Sequence, residues 1–185
     1  MEFMPAPFLI REVEPSDARG IAAVHACAWQ TTYRGIIPDS VLDVMSEEAG
    51  APRFLKTIEK HRLENSPYPF LVATMGDRIV GFSDAVKPID PPPGFDCEIK
   101  AIYIDPNRQR MGIGRALIAE SARLLIGTNH KALIIWAAAE NPWRRFYEKI
   151  GGELLPETKH PEIGGKPIAH VAYGWRDLGG LAAIP

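Results

Sequence analysis

At 185 residues, with 46% hydrophobic and 24% charged side chains, the chain has the size and composition of one globular domain rather than of a disordered or fibrous protein. Its 23 acidic and 21 basic side chains leave a net charge of -2, which argues against broad electrostatic binding to nucleic acid or to an anionic membrane and leans slightly toward a cationic ligand. The longest strongly apolar run, Ala132 to Ala139, is too short to span a bilayer, and "MEFMPAPF" lacks the basic-then-apolar order of a signal peptide, so the expected location is the cytoplasm.

In chain order, "FLIREV" (Phe8 to Val13) reads as a first strand and "PSDARGIAAVHACAWQ" as a helix with Ser16 at its N-cap. "YRGIIP" breaks that helix. "DSVLDVM" begins a short one, and a polar helix is expected over roughly Pro52 to Glu64. "FLVATM" and "RIVGFSDAV" flank Gly76-Asp77, a strong hairpin signal. The proline-rich "KPIDPPPGFD" reads as a loop, and "CEIKAIYI" as a strand ended by Asp105-Pro106. "MGIGRALIAESARLLI" is amphipathic: Ile113, Leu117, Ile118, Leu124 and Leu125 share one arc, while Arg115, Glu120 and Arg123 take the other. "ALIIWAA" has the continuous apolarity of a strand covered on both faces. "NPWRRFYEKIGG" predicts a further helix and "AHVAYGW" a closing strand. No repeat interrupts this order, which predicts a single α+β or mixed α/β domain over residues 1–185.

The stretch "NRQRMGIGRALI" carries two glycines at the mouth of an apolar helix, with Arg108, Arg110 and Arg115 around them. A P-loop would need Lys-Ser or Lys-Thr after the second glycine, where Arg115-Ala116 stands. A dinucleotide fingerprint would need a small residue at Leu117. Neither fits, yet bare glycines and the free N–H groups of a first helical turn suit an anion. The same glycines also fit a tight turn with solvated arginines.

"EIKAIYIDPNRQRMGIG" followed by "NPWRRFYEKIGG" resembles the GCN5-related N-acetyltransferase (GNAT) superfamily, over roughly Phe70 to Trp175. That family's cofactor loop is Gln or Arg, two residues, Gly, one residue, Gly or Ala, matched by Gln109, Arg110, Met111, Gly112, Ile113 and Gly114. "W-x(3)-Y-R-G-I-I-P" from Trp29 is similar to the helix 1–2 region of many members. The resemblance implies a mostly antiparallel sheet of about seven strands, with strands four and five parallel and splayed, flanked by about four or five helices. It also implies an acetyl-CoA-binding core over about residues 70–155, and transfer of acetyl from acetyl-CoA to a primary amine of a small molecule or peptide by direct attack. Backbone N–H groups of Arg110 through Arg115 would then cradle the pyrophosphate. Ile102, Tyr103 and Ile104 would pair with the pantetheine arm as an added strand. Asn141 matches the family's asparagine, although Trp143 and Arg144 fill a shorter gap before Phe146-Tyr147 than in many members. Members often form homodimers. A CoA-binding regulatory domain without turnover, or use of another acyl-CoA, stands beside this reading.

Family analogy places Tyr147 near the sulfur as the acid that protonates the leaving thiolate. The i, i+3, i+4, i+7 spacing of Trp143, Phe146, Tyr147 and Ile150 also describes a plain core face. Glu98 is the candidate base, or else an exposed residue paired with Lys100 two positions on. Trp29 and Tyr33 are candidates for the acceptor wall and His170 for an acceptor contact, while His25 sits on the apolar face of the first helix as a core histidine. Cys27 and Cys97 read as buried reduced thiols. No His, Cys, Asp or Glu cluster has metal-ligand spacing, so no metal is expected.

Overall fold

The computed structural model describes residues 8–184, so most of the N-terminal stretch read for a leader signal lies outside the described residues. Its elements are β1 (Leu9–Glu12), α1 (Ala18–Thr32), α2 (Asp39–Leu42), α3 (Glu47–Leu63), β2 (Phe70–Met75), β3 (Arg78–Val86), β4 (Cys97–Ile104), α4 (Ile113–Gly127), β5 (Leu133–Ala138), α5 (Arg145–Lys149), β6 (Glu153–Lys159), β7 (Glu162–Ile163), β8 (Lys166–Pro167), β9 (His170–Trp175) and α6 (Leu178–Ala182). Seven strands form one sheet in the order β1-β2-β3-β4-β5-β9-β6, and β7-β8 is a separate small hairpin. Every pairing in the large sheet is antiparallel except β4 with β5. This is the expected α+β architecture.

Both faces of the sheet are covered, which explains why its central strands are apolar throughout instead of alternating. In β2, Phe70 and Val72 pack with Ile21, Val24, Phe54 and Ile58 of α1 and α3. The alternate Leu71 and Ala73 join Ile113 and Leu117 of α4 on the other side. Gly76, at φ +59°, makes the tight β2-β3 turn between Met75 and Arg78.

Local chemistry moves several boundaries. Ser16 is not the cap of α1: it lies in a 3-10 turn, Pro15–Asp17, where Asp17 accepts the Glu14 N–H at 2.8 Å and takes a two-pronged bond from Arg11 at 2.7 and 2.8 Å. The polar helix starts earlier than Pro52, because Ser46 Oγ caps Ala49 N at 3.1 Å and Glu47 and Glu48 fill the first turn. Pro52 is accommodated inside α3. Strand β6 has no clean alternation, since a register shift between Leu154 and Thr158 takes up Pro156 at the sheet edge. The expected helix over 141–152 shrinks to α5. The short α6, capped by Asp177 Oδ1 on Gly179 N at 2.8 Å, packs Leu178 and Leu181 on the face with α4. Cys97 is buried, but Cys27 is exposed, so only one thiol fits the expectation.

His25 lies among Trp29, Phe54, Phe82 and Tyr103, with ring centroids 5.1 to 6.4 Å away. Burial, aided by the Arg53 charge, lowers its pKa to about 4. The unfolded chain therefore binds this proton between about pH 6.5 and 4 while the folded chain does not, and stability falls as pH falls through that window. The loss is expected to be on the order of 3 kcal/mol and to shrink sharply in His25→Phe. Urea titrations at stepped pH measure it; parallel pH profiles for the two proteins would refute this source of acid sensitivity.

Candidate active site

The one parallel pair shapes the site. Asp96, just before β4, accepts the backbone N–H groups of Lys131 and Ala132 at 3.0 to 3.2 Å and ties the starts of the two strands together. Register between β4 and β5 holds only at Cys97 with Leu133 and Glu98 with Ile134. Beyond it the strands diverge. The facing edges of β4 and β5 line a cleft of about 980 Å³. Ile102, Tyr103 and Ile104 form one wall, and Ile135, Trp136 and Ala137 the other.

At the broad end, the loop after β4 is held in shape by the buried Asp105 carboxylate. It accepts Asn107 N at 3.0 Å and Asn107 Nδ2 at 3.2 Å, and Arg78 lies 3.6 Å away. This caps the 3-10 turn Pro106–Arg108. Arg110 (φ +63°) and Gly112 (φ +84°) are both left-handed, and the second of these kinks starts α4. A Cβ on Gly112 would meet nothing within 4 Å, so its backbone faces open space. Among the described residues no hydrogen bond within the chain takes up the N–H of Ile113, Gly114 or Arg115. Gln109, Arg110, Gly112, Ile113, Gly114 and Arg115 line the cleft here, joined by Arg108, Arg145 and Lys149. Met111 does not; its side chain packs with Ile113 and Leu117. Free N–H groups at a helix start, with positive side chains on both lips, are an arrangement suited to an anion.

Past the C-terminal end of β5, where the Asn141 N–H donates to the Ala138 carbonyl at 2.9 Å, Tyr147 and Tyr33 line the cleft with Asn141. Tyr147 stacks against Tyr173 at 5.3 Å and near Trp175 at 6.4 Å. The Tyr173 hydroxyl is spent on Arg144 (2.9 Å) and Glu148 (3.0 Å), whereas the Tyr147 hydroxyl has no hydrogen-bond partner among the described residues. Desolvation raises the Tyr147 pKa well above the ordinary phenol value, with the Tyr33 and Tyr173 phenols adding to it. Asn141 donates to Tyr33 Oη at 3.2 Å and accepts Trp143 N at 2.8 Å.

The remaining candidates sit farther back. Glu98 does not line the cleft. It lies where β4 and β5 are still paired, half-buried, with its pKa raised by desolvation and pulled down by Lys159 and Lys100. Nor does Lys100 pair with it: a bulge in the β3-β4 register turns Lys100 to the buried Asp84, at 2.9 Å. Trp29 packs behind Tyr33 at 5.2 Å, its buried Nε1 unpartnered, and is not on the cleft wall. His170 starts β9 beside Ala138, with Nδ1 on the Ile168 carbonyl at 2.9 Å, and is also off the wall. Sequence reasoning missed Lys100, Trp136, Arg145 and Lys149 as wall residues, and missed that Trp143 is 42% exposed at the mouth under the Arg110 guanidinium. A one-residue departure from core spacing carries no signal for any of these.

Among the described residues no three His, Cys, Asp or Glu side chains are grouped to hold a metal ion, and no helix is long and apolar enough to cross a membrane.

Residues 66–151 match the model of the acetyltransferase (GNAT) domain. The uncharacterized N-acetyltransferase YuaI of Bacillus subtilis is 31% identical over 179 residues, covering 95% of this chain and 96% of that protein. The fold is shared with the PaiA N-acetyltransferase of Thermoplasma acidophilum, solved in complex with coenzyme A, at a TM-score of 0.69 and 19% identity over 89% of this chain and 98% of that one. It is shared equally with yncA of Salmonella typhimurium, solved with acetyl-CoA, at a TM-score of 0.69 and 17% identity over 91% of this chain and 93% of that one. With a forked parallel pair, a cradle at its broad end and a full-length relative at this identity, the chain belongs to the GNAT family of N-acetyltransferases.

Proposed function

We propose that the chain transfers the acetyl group of acetyl-CoA to a primary amine of a small molecule or peptide by direct attack. One observation carries this reading: the splayed edges of β4 and β5 run from the free N–H groups of Ile113 to Arg115 to the unpartnered hydroxyl of Tyr147. A pyrophosphate fits the first and a thioester the second, with the arm between them bonding to the open β4 edge as an added strand. The amine nitrogen attacks the thioester carbonyl, the C–N bond forms and the C–S bond breaks. Tyr147 gives its proton to the departing sulfur. The amine's proton leaves through water toward Glu98, whose raised pKa suits a base set back from the wall.

The mild acidity of the whole chain does not extend to this cleft. No Asp or Glu among the described residues lines it, and Lys100, which does, is ion-paired with Asp84 at 2.9 Å. Monoamines and amino acids are therefore expected to be better acceptors than polyamines. The test is thiol release from acetyl-CoA across an amine panel. Acetyl-CoA that raises the melting temperature yet is consumed with no amine would overturn the enzymatic reading in favour of a binding domain.

A further inference from the structure

Tyr33 is fixed by a residue from the opposite lip of the cleft. Asn141 Oδ1 is occupied by the Trp143 N–H, so only the amide nitrogen can face Tyr33, and it donates to Tyr33 Oη at 3.2 Å. Desolvation raises the Tyr33 pKa, and the hydrogen bond from Asn141 opposes that rise. The ring is only 9% exposed and wedged edge-on against Trp29. A phenol whose oxygen accepts from Asn141 and whose O–H has no acceptor among the described residues has that O–H to offer, and the open direction is the cleft it lines with Tyr147.

We propose that Tyr33 is a second catalytic hydroxyl, positioned by Asn141, that donates a hydrogen bond to the thioester carbonyl oxygen as that oxygen gains charge. The role rests on the acetyl-transfer reading above. The attacking amine must keep its lone pair for the carbonyl carbon, and the sulfur is served by Tyr147. The carbonyl oxygen is the atom that gains acceptor strength when the nitrogen adds and the π electrons move onto it. Tyr33 keeps its proton throughout. When the tetrahedral intermediate collapses, the C–S bond breaks, the sulfur takes the Tyr147 proton, and the proton lost by the amine restores Tyr147 by way of solvent. Asn141 touches neither substrate atom; it is a positioning residue.

Asn141→Asp tests this sharply. It keeps an oxygen for the Trp143 N–H but presents a carboxylate to Tyr33, which turns the Tyr33 proton away from the cleft. Tyr33→Phe removes the proton altogether. Each is expected to lower kcat by about a hundredfold, the usual effect of losing one oxyanion donor, with KM for acetyl-CoA changed by less than about threefold. The double variant is expected to be no slower than Tyr33→Phe alone. A thermal shift by acetyl-CoA in each variant shows that the fold and cofactor site persist. Wild-type kcat in Tyr33→Phe, a change confined to KM, or a full additional loss from Asn141→Asp in the Tyr33→Phe background overturns the role. A wild-type protein that acetylates no amine overturns the acetyl-transfer reading and this role together, whereas active wild type with unaffected Tyr33→Phe overturns this role alone.

Discussion

Gly112→Asp is expected to weaken CoA binding about a hundredfold, while Gly112→Asn weakens it less than about tenfold. The two side chains are nearly isosteric, and Asn and Asp are the residues that best tolerate the left-handed region where Gly112 sits, at φ +84°. Each pays a similar conformational cost of about 1 kcal/mol, and each points a Cβ into space with no protein atom within 4 Å. What differs is a negative charge placed beside the N–H groups of Ile113 to Arg115. Repulsion between two unit charges about 5 Å apart is worth roughly 3 kcal/mol at an effective dielectric constant near 20, and screening at the open cradle brings this toward the roughly 1.4 kcal/mol of a tenfold gap. Calorimetric titration with CoA at two ionic strengths measures it. The gap should narrow with salt, since the cradle is open to solvent. Equal affinities for the two variants would mean that no anion sits at this helix end.

Gly114 is the poorer probe. A Cβ there would stand 3.4 Å from Phe146 Cζ, in ordinary contact, so a side chain longer than alanine's meets α5 beside Tyr147. The two glycines thus do different work. Gly112 permits a left-handed backbone kink, and Gly114 sits where α4 faces Phe146 of α5.

The glycine loop before α4 and most of the strands along the chain are legible in the sequence because their signals are local. The Gly76-Asp77 turn, the Asp105-Pro106 stop and Gly112-Ile113-Gly114 each announce themselves within a few residues. The one parallel pair becomes visible once α4 is seen to connect two apolar strands. Strand β6 is hidden by its bulge at Pro156, and α6 by two glycines inside a five-residue helix whose burial depends wholly on tertiary contact with α4. The tyrosine side of the site is illegible for a different reason. The Asn141–Tyr33 bond joins residues 108 apart in the chain, and the Lys100–Asp84 pair exists only because a bulge changes which way Lys100 faces. Glu98 shows the same limit from the other side. Its strand position is readable, but how far the splay begins beyond it is not. Cys27 is exposed through the helical phase of α1, one position off the buried Ala26 and Ala28.

Tyr147→Phe is expected to lower kcat by about a hundredfold to a thousandfold and leave the CoA dissociation constant nearly unchanged. The reason lies in how the ring is held. Its contacts with Tyr173 and Trp175, and its place beside Phe146, are those of a core aromatic and survive loss of the oxygen. The hydroxyl itself contributes no hydrogen bond to the fold, so removing it should cost little stability. A plain core residue would give the opposite pattern, with the melting temperature moving and kcat staying put. The pH profile sharpens the distinction. Because burial raises the Tyr147 pKa, the phenol stays protonated past the range where a free tyrosine would ionise near pH 10, so kcat in the wild type should show no falling alkaline limb from loss of this proton below that point. The rising limb, set by deprotonation of the amine and of its acceptor group, should be kept in the variant. Ejecting a thiolate without an acid costs more the more basic that thiolate is, so acyl-CoA analogues with a more acidic leaving thiol should recover much of the lost rate in Tyr147→Phe. Steady-state rates with a series of acetyl thioesters of graded thiol pKa would give a steep dependence for the variant and a shallow one for the wild type. Parallel slopes would remove Tyr147 from the step in which the C–S bond breaks.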